Sequence, residues 1–199
     1  MRSMLKWPDV PAVYGWLNLD RRGNFRIRTC TLAADLESAG KKPVRFEPIG
    51  NPALRAFIAR NYLADERGCW FFQNGPQRVF VSLAYAPLVF RLESEGLADH
   101  CGRPAGMIDA AWLDEEGSLV LEGANGVGLL DDRDLSVFAG ELAEGKLGIS
   151  GACLAVGRLS SHELETRFGF VRQPGGRYRA ESVSWQGTTS LDGRFKSSL

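Results

Sequence analysis

The chain has 199 residues, of which 44% are hydrophobic and 24% charged, and its 24 basic and 24 acidic side chains cancel. This is the composition of an ordinary globular protein, so it excludes global disorder, collagen-like sequence and a coiled coil. Because the net charge is zero, nothing marks a nucleic-acid binder, and we expect no DNA or RNA polymer as a partner.

No segment has the features of a signal peptide, and no run approaches the ~18 apolar residues of a membrane-spanning helix. We therefore expect no membrane insertion and a cytoplasmic location. The four cysteines (Cys30, Cys69, Cys101 and Cys153) are scattered without a CxxC pair, so we predict reduced thiols. They do not cluster as zinc ligands do, and we predict neither a metal nor a cofactor.

In chain order, the first half predicts a hairpin, a helix and three strands. Apolar residues alternate with polar ones on both sides of residues 20–23, which is a hairpin pattern. Asn51-Pro52 has the residue types of a helix N-cap and first turn, and apolar side chains then recur at helical spacing as far as Tyr62. The strands are expected at 69–73, 77–84 and 88–92.

The second half begins after residues 94–106, a glycine-rich segment that we interpret as an interdomain linker. Residues 107–122 predict another hairpin and 126–130 a third strand. Asp131-Asp132 would cap a helix with apolar residues on one face. Further strands are expected at 147–156 and 177–185.

The two halves share a spaced pattern that indicates an internal duplication. Leu19, Asp20 and Gly23 of the first hairpin recur as Leu113, Asp114 and Gly117 in the second, and a capped helix follows each. We therefore predict an α+β protein of two similar strand-rich modules, at residues 1–95 and 105–190. Each module would contain a β-hairpin or sheet and one main helix.

Charge is unevenly distributed between these halves. Residues 1–93 contain 14 Lys/Arg against 8 Asp/Glu, whereas residues 94–150 contain 3 against 12. The pattern predicts complementary faces where the modules meet, although chance clustering of solvated charges would also produce it. A crevice between the modules would be a natural place for a ligand.

The segment WFFQNGPQRVFV, with YGWLNLDRRG upstream and LLDDRDL downstream, resembles a family of uncharacterised proteobacterial proteins that is classed as a domain of unknown function. The chain is also distantly similar to a second uncharacterised bacterial family. That second resemblance implies a duplicated α+β build with a C-terminal half loosely like a pleckstrin-homology barrel. It also implies a ligand cleft between the halves and a role in signalling.

Two polar clusters could contact a ligand. Amides and a guanidinium beside aromatic residues can bind phosphate or planar polar groups, although Asn-Gly-Pro also forms ordinary turns. The candidate ligand-binding residues are Gln73, Asn74, Gln77, Arg78, Asp132 and Arg133. The carboxylates of Asp131, Asp132 and Asp134 could instead hold Mg²⁺, or simply begin a helix.

We predict a non-enzymatic, ligand-sensing or signalling-related protein that binds an anionic or nucleotide-like small molecule between its modules. No catalytic residue is predicted, because no nucleophile motif is present and the chain has only two histidines, His100 and His162. The alternatives are a metal-assisted hydrolase that uses the Asp131, Asp132 and Asp134 cluster, or a protein-interaction module without a small-molecule site. The sequence leaves open whether the chain binds a protein partner or forms a homodimer.

Overall fold

The computed structural model describes residues 12–29, 45–149 and 151–175. Within these ranges the chain forms thirteen strands in two sheets, three α-helices and one 3₁₀ helix. The strands are β1 (Val13–Leu19), β2 (Phe25–Arg28), β3 (Phe46–Pro48), β4 (Tyr62–Ala64), β5 (Trp70–Asn74), β6 (Gln77–Leu83), β7 (Leu88–Glu93), β8 (Gly96–Asp99), β9 (Ile108–Leu113), β10 (Leu119–Gly123), β11 (Gly126–Leu130), β12 (Lys146–Ile149) and β13 (Ala152–Arg158). The helices are α1 (Pro52–Arg60), the 3₁₀ helix (Leu135–Phe138), α2 (Ala139–Ala143) and α3 (Leu164–Phe168).

The first sheet consists of two antiparallel meanders joined by α1. Strands β1 to β3 form one meander and β4 to β6 the other, and β6 returns parallel to β1. The strand order is therefore β3-β2-β1-β6-β5-β4. As predicted, Asn51 caps α1, because its side-chain oxygen accepts hydrogen bonds from the backbone N–H groups of Ala53 and Leu54.

The second sheet repeats this topology. Strands β9 to β11 form a meander, the 3₁₀ helix and α2 follow, and the β12–β13 hairpin brings β13 back parallel to β9. The β7–β8 hairpin extends the sheet beyond β11, and the whole curls into a half-barrel. The shared order confirms the predicted α+β fold of two similar modules.

The equivalent hairpins also share a turn. The Oδ1 atom of Asp20 accepts hydrogen bonds from the N–H groups two and four residues ahead, and Asp114 does the same in the second module. Gly23 and Gly117 occupy the fourth position of these turns with φ of 76° and 80°, a conformation that side chains with a Cβ rarely adopt. The sequence pattern Asp-x-x-Gly therefore specifies the turn.

The passage between the sheets lies earlier than the sequence indicates. Segment 94–106 is not a linker, because it contains β8, which pairs with β7. The chain passes from one sheet to the other between Leu83 and Leu88. The short connection 84–87 shows no glycine-rich composition that could have revealed it. The boundaries of the modules as folding units, expected at 1–95 and 105–190, stay a prediction.

Three predicted elements need correction, and a fourth falls outside the described residues. Tyr62 lies in β4, because α1 ends at Arg60 with Asn61 as its C-cap, but it is a core residue with 1% exposure. The strand expected at 147–156 is a hairpin, since Gly151 turns the chain with a φ of 78°. The helix expected after Asp132 begins as the 3₁₀ helix. The strand expected at 177–185 lies outside the described residues.

One hydrophobic core joins the two sheets. It includes Leu19 and Leu83 from the first sheet and Phe90, Leu121 and Leu147 from the second, each at most 1% exposed. Residues 159–175 then return from the second module to the first, where the backbone oxygen of residue 172 accepts a hydrogen bond from residue 83. The modules therefore share a core and a returning segment, and a site between them has fixed walls.

None of the helices in the described residues is long and apolar enough to span a membrane. Cys69, Cys101 and Cys153 are free thiols, and Cys30 lies outside the described residues.

Candidate functional site

The β1–β2 turn of the first module reaches the second module. The Nη2 atom of Arg21 donates a 2.6 Å hydrogen bond to Oγ of Ser118, and its Nη1 atom lies 3.7 Å from a carboxylate oxygen of Glu116. Next to it, Arg22 forms a two-pronged ion pair with Asp132, at 3.0 and 3.2 Å. Basic residues of the first half thus meet acidic residues of the second.

Tyr85 lies at the centre of this seam. Its hydroxyl donates a 2.6 Å hydrogen bond to Oδ2 of Asp114. The guanidinium groups of Arg21 and Arg172 lie 4.3 and 5.2 Å from the centre of its ring. Burial, reinforced by the Asp114 hydrogen bond, raises the pKa of Tyr85 well above its usual value. The hydroxyl is therefore a fixed neutral donor.

The carboxylate of Asp131 is fully buried and bound by two arginines. Nε and Nη2 of Arg133 donate to it at 2.8 and 2.5 Å, and Nε of Arg91 donates at 3.2 Å. Hydrogen bonding by Arg133 holds the pKa of Asp131 well below its usual range. Asp131 thus neutralises part of the charge of both guanidinium groups.

The neighbouring carboxylates also have partners. Asp132 pairs with Arg22, and Asp134 accepts a 2.9 Å hydrogen bond from the backbone N–H of Leu92. In the part of the chain that the structure describes, no three His, Cys, Asp or Glu residues are grouped as metal ligands would be. The arrangement does not favour the metal-assisted hydrolase.

A cavity of about 350 Å³ lies between the modules, on one side of the β1–β2 turn. Its wall comes from that turn and α1 in the first module, and from β7 and the turn after β8 in the second. The lining residues are Gly23, Asn24, Phe25, Pro52, Arg55, Ala56, Ala59, Arg91, His100, Cys101 and Gly102. The lining has two guanidinium groups and no carboxylate, so it is suited to an anion. We call it the arginine cavity.

His100 in this wall is a neutral imidazole. Its Nδ1 atom accepts a 3.3 Å hydrogen bond from the N–H of Val89, so the proton of the neutral ring is on Nε2. The ring packs against Phe25 and Tyr62, with centroids 5.2 and 5.3 Å away, and burial lowers its pKa to about 4. A Cβ on Gly23 would lie 2.5 Å from the Cβ of His100, so only glycine fits there.

A second cavity, of about 360 Å³, lies on the other side of the β1–β2 turn. Leu129 and Leu130 line it together with Arg21, Arg22 and Asp132. Unlike Arg55 of the arginine cavity, both of these arginines already have acidic partners. A ligand here would have to displace existing ion pairs.

The structure does not bring the two sets of predicted ligand residues together. Gln73 pairs with Arg78 and Asn74 with Gln77 around the β5–β6 turn. Strand β6 runs from this turn to the opposite end of the sheet, where the Arg22–Asp132 pair lies. A strand of that length separates the sets by roughly 20 Å. Asp132 lines the second cavity, and Arg133 acts on Asp131.

The residues of the arginine cavity escaped the sequence analysis. Arg55 interrupts no pattern on α1, and Arg91 follows the three buried apolar residues that begin β7. The sequence marks His100 only as one of two histidines. Only the fold shows that these residues meet, because they come from three separate elements whose contact depends on the sheet order.

The DUF2944 family model, described as "Protein of unknown function (DUF2946)", matches residues 1–175. The chain therefore belongs to this family, which confirms the predicted resemblance to an uncharacterised family. No curated protein matches the chain.

Two solved structures are similar to the chain, and both are DUF1285 family proteins. The one from Silicibacter pomeroyi DSS-3 is 15% identical, with 81% of this chain and 89% of that chain covered and a TM-score of 0.46. The one from Shewanella baltica OS155 is 15% identical, with 63% and 91% covered and a TM-score of 0.40.

Proposed function

We propose that the protein is a non-enzymatic, ligand-sensing protein that binds an anionic or nucleotide-like small molecule between its two modules. The observation that carries the proposal is the arginine cavity, whose wall contains residues of both modules and no carboxylate. Its volume lies at the lower end of the range of small-molecule sites. A role in signalling, and a cytoplasmic location, are part of the proposal.

A ligand between the modules would contact two units that already share a core. Binding to the folded state alone stabilises a protein by mass action, so the ligand should raise the unfolding temperature. Because the seam is held by Arg21, Arg22 and Tyr85, the ligand would add to an existing interface rather than create one.

The experiment is a thermal-shift screen of the full chain with nucleotides, inorganic phosphate, sugars and divalent metals. We expect stabilisation by one or more anions. Stabilisation by Mg²⁺ or Mn²⁺ alone would favour the hydrolase alternative, and no stabilisation by any compound would refute the proposal and favour a protein-interaction module.

The roles of Gln73, Asn74, Gln77, Arg78, Asp132 and Arg133 as ligand residues stay a prediction. Because the two sets lie at opposite ends of β6, one small ligand could contact only one of them. The Arg78→Ala and Asp132→Ala variants separate these sets. Unchanged ligand-induced stabilisation in both variants would remove these residues from the site.

A further inference from the structure

We infer that the arginine cavity binds a phosphate monoester with a small apolar or aromatic body, and that Arg55 is its principal anion contact. The inference rests on the proposed function and narrows it to one cavity and one class of ligand. It follows from the charges in the wall, the hydrogen-bond donors that remain available there, and the apolar surface beside them.

Two guanidinium groups and no carboxylate line the wall. Arg55 is exposed on α1, and its side chain makes no ion pair or hydrogen bond to any residue in the described ranges. Arg91 shares the single charge of Asp131 with Arg133, so Asp131 compensates only part of it. A dianion therefore matches this wall better than a monoanion. A phosphate monoester has a charge of about −1.5 to −2 at neutral pH.

The wall offers donors rather than acceptors. Arg91 is held by Asp131 and by the backbone oxygen of Arg22, which fixes the orientation of its guanidinium group. Nε2 of His100 carries the ring proton and has no partner among the described residues, but it is buried, so the donors that a ligand can reach are those of the guanidinium groups. Donors of this kind suit the acceptor-only oxygens of a phosphate group.

One side of the wall is apolar and small. Pro52, Ala56 and Ala59 form the α1 side of the cavity, whereas Asn24 adds a polar amide from the β1–β2 turn. The α1 side chains offer no hydrogen bond, so the part of the ligand that covers them should be apolar. The cavity volume of about 350 Å³ suits one ring next to the anion.

Isothermal titration calorimetry of the full chain with phenyl phosphate tests the inference. Benzoate has the same ring but one charge, inorganic phosphate has the charge but no ring, and isophthalate is a dianion without phosphorus. We expect phenyl phosphate to bind more tightly than all three. The Arg55→Glu variant should weaken its binding at least about tenfold, as expected when a charge-assisted contact is lost.

The matched control is Arg60→Glu, which makes the same change of charge on α1 at an exposed residue outside the cavity. We expect the affinity of this control variant for phenyl phosphate to stay within about threefold of that of the wild type, because exposed charges at a distance are screened. Amide resonances locate the ligand, since Gly23 and Gly102 line the arginine cavity and Gly117 lines the second cavity.

Each contrary outcome has a distinct meaning. Equal losses in both variants, or resonance shifts at Gly117 rather than Gly23 and Gly102, would overturn the assignment of the cavity and leave the proposed function standing. Equal or tighter binding of benzoate or isophthalate would overturn the phosphate class. Binding of none of these anions, nor of any nucleotide, would overturn both proposals.

Discussion

The pH dependence of stability should depend on His100. The wall of the arginine cavity keeps this imidazole neutral, with a pKa of about 4 in the folded protein. In the unfolded chain the ordinary value is about 6.5. Between pH 6.5 and pH 4 the imidazole is protonated in the unfolded state but neutral in the folded state. The free energy of unfolding therefore falls as the pH decreases from about 6.5 to about 4.

The size of the effect follows from these two values. Between pH 7.5 and pH 5 the free energy of unfolding should fall by about 2 kcal/mol on account of His100 alone. That is a large part of a stability of ~5–15 kcal/mol. Charges around the ring oppose one another, since Asp99 and Asp20 raise its pKa while Arg103 and Arg91 lower it, so burial decides the direction.

The assay is urea denaturation followed by tryptophan fluorescence, at pH 7.5 and pH 5, for the wild type and His100→Asn. Asparagine cannot titrate, and its side-chain oxygen can accept the hydrogen bond from Val89 that Nδ1 accepts in the wild type. The variant should lose about 2 kcal/mol less than the wild type over this interval. Parallel losses would refute the reasoning. An NMR titration of His100 in the wild type measures the same pKa if the variant fails to fold.

Three further predictions concern the stability of single variants. Tyr62→Phe removes the 3.0 Å hydrogen bond to the buried carbonyl oxygen of Pro87 and should cost about 1–2 kcal/mol by chemical denaturation; an unchanged stability would contradict this account. Asp131→Asn removes the carboxylate from hydrogen bonds with two partly exposed guanidinium groups and should cost about 1.5–3 kcal/mol. The stability of this variant should also fall less than that of the wild type as the pH drops below about 4. The pKa of Asp131 is lowered in the folded protein, so its carboxylate stabilises the fold only while it is ionised, and asparagine has no such contribution to lose. Gly68→Ala should destabilise far more than Gly75→Ala, because both glycines have a positive φ but only at Gly68 would a Cβ overlap the backbone of residues 169–170; equal melting temperatures would show that this contact is not rigid.

Local patterns predicted the repeated elements well. The two Asp-x-x-Gly turns, the Asn51 cap and the strands that begin near residues 70, 77 and 88 depend on neighbouring residues, and each lies where its pattern indicates. Sheet membership depends on contacts far along the chain. The parallel pairing of β6 with β1, and of β13 with β9, joins strands that no short pattern connects.

The same limit explains the candidate site. Gln73 and Arg78 were predicted as ligand residues because polar residues are dense there, and in the structure they face each other beside a hairpin turn. Arg55, Arg91 and His100 are single polar residues within ordinary elements. From the sequence alone, each is indistinguishable from a solvent-exposed or a core residue without a role in binding. A site assembled from three elements leaves no local signal when each element contributes one residue.

The repeat itself explains why the modules fit together. Positions two and three of the shared turn are Arg21 and Arg22 in the first module and Glu115 and Glu116 in the second. The two turns have the same backbone hydrogen bonds and opposite charges, and Arg21 lies 3.7 Å from Glu116 where they meet. Ion pairs this exposed contribute at most about 1 kcal/mol, so the buried core supplies most of the stability. The charges instead set which parts of the two modules face each other. The β1–β2 turn is thereby held between the two cavities, with Gly23 against His100 on one side and Arg22 against Asp132 on the other.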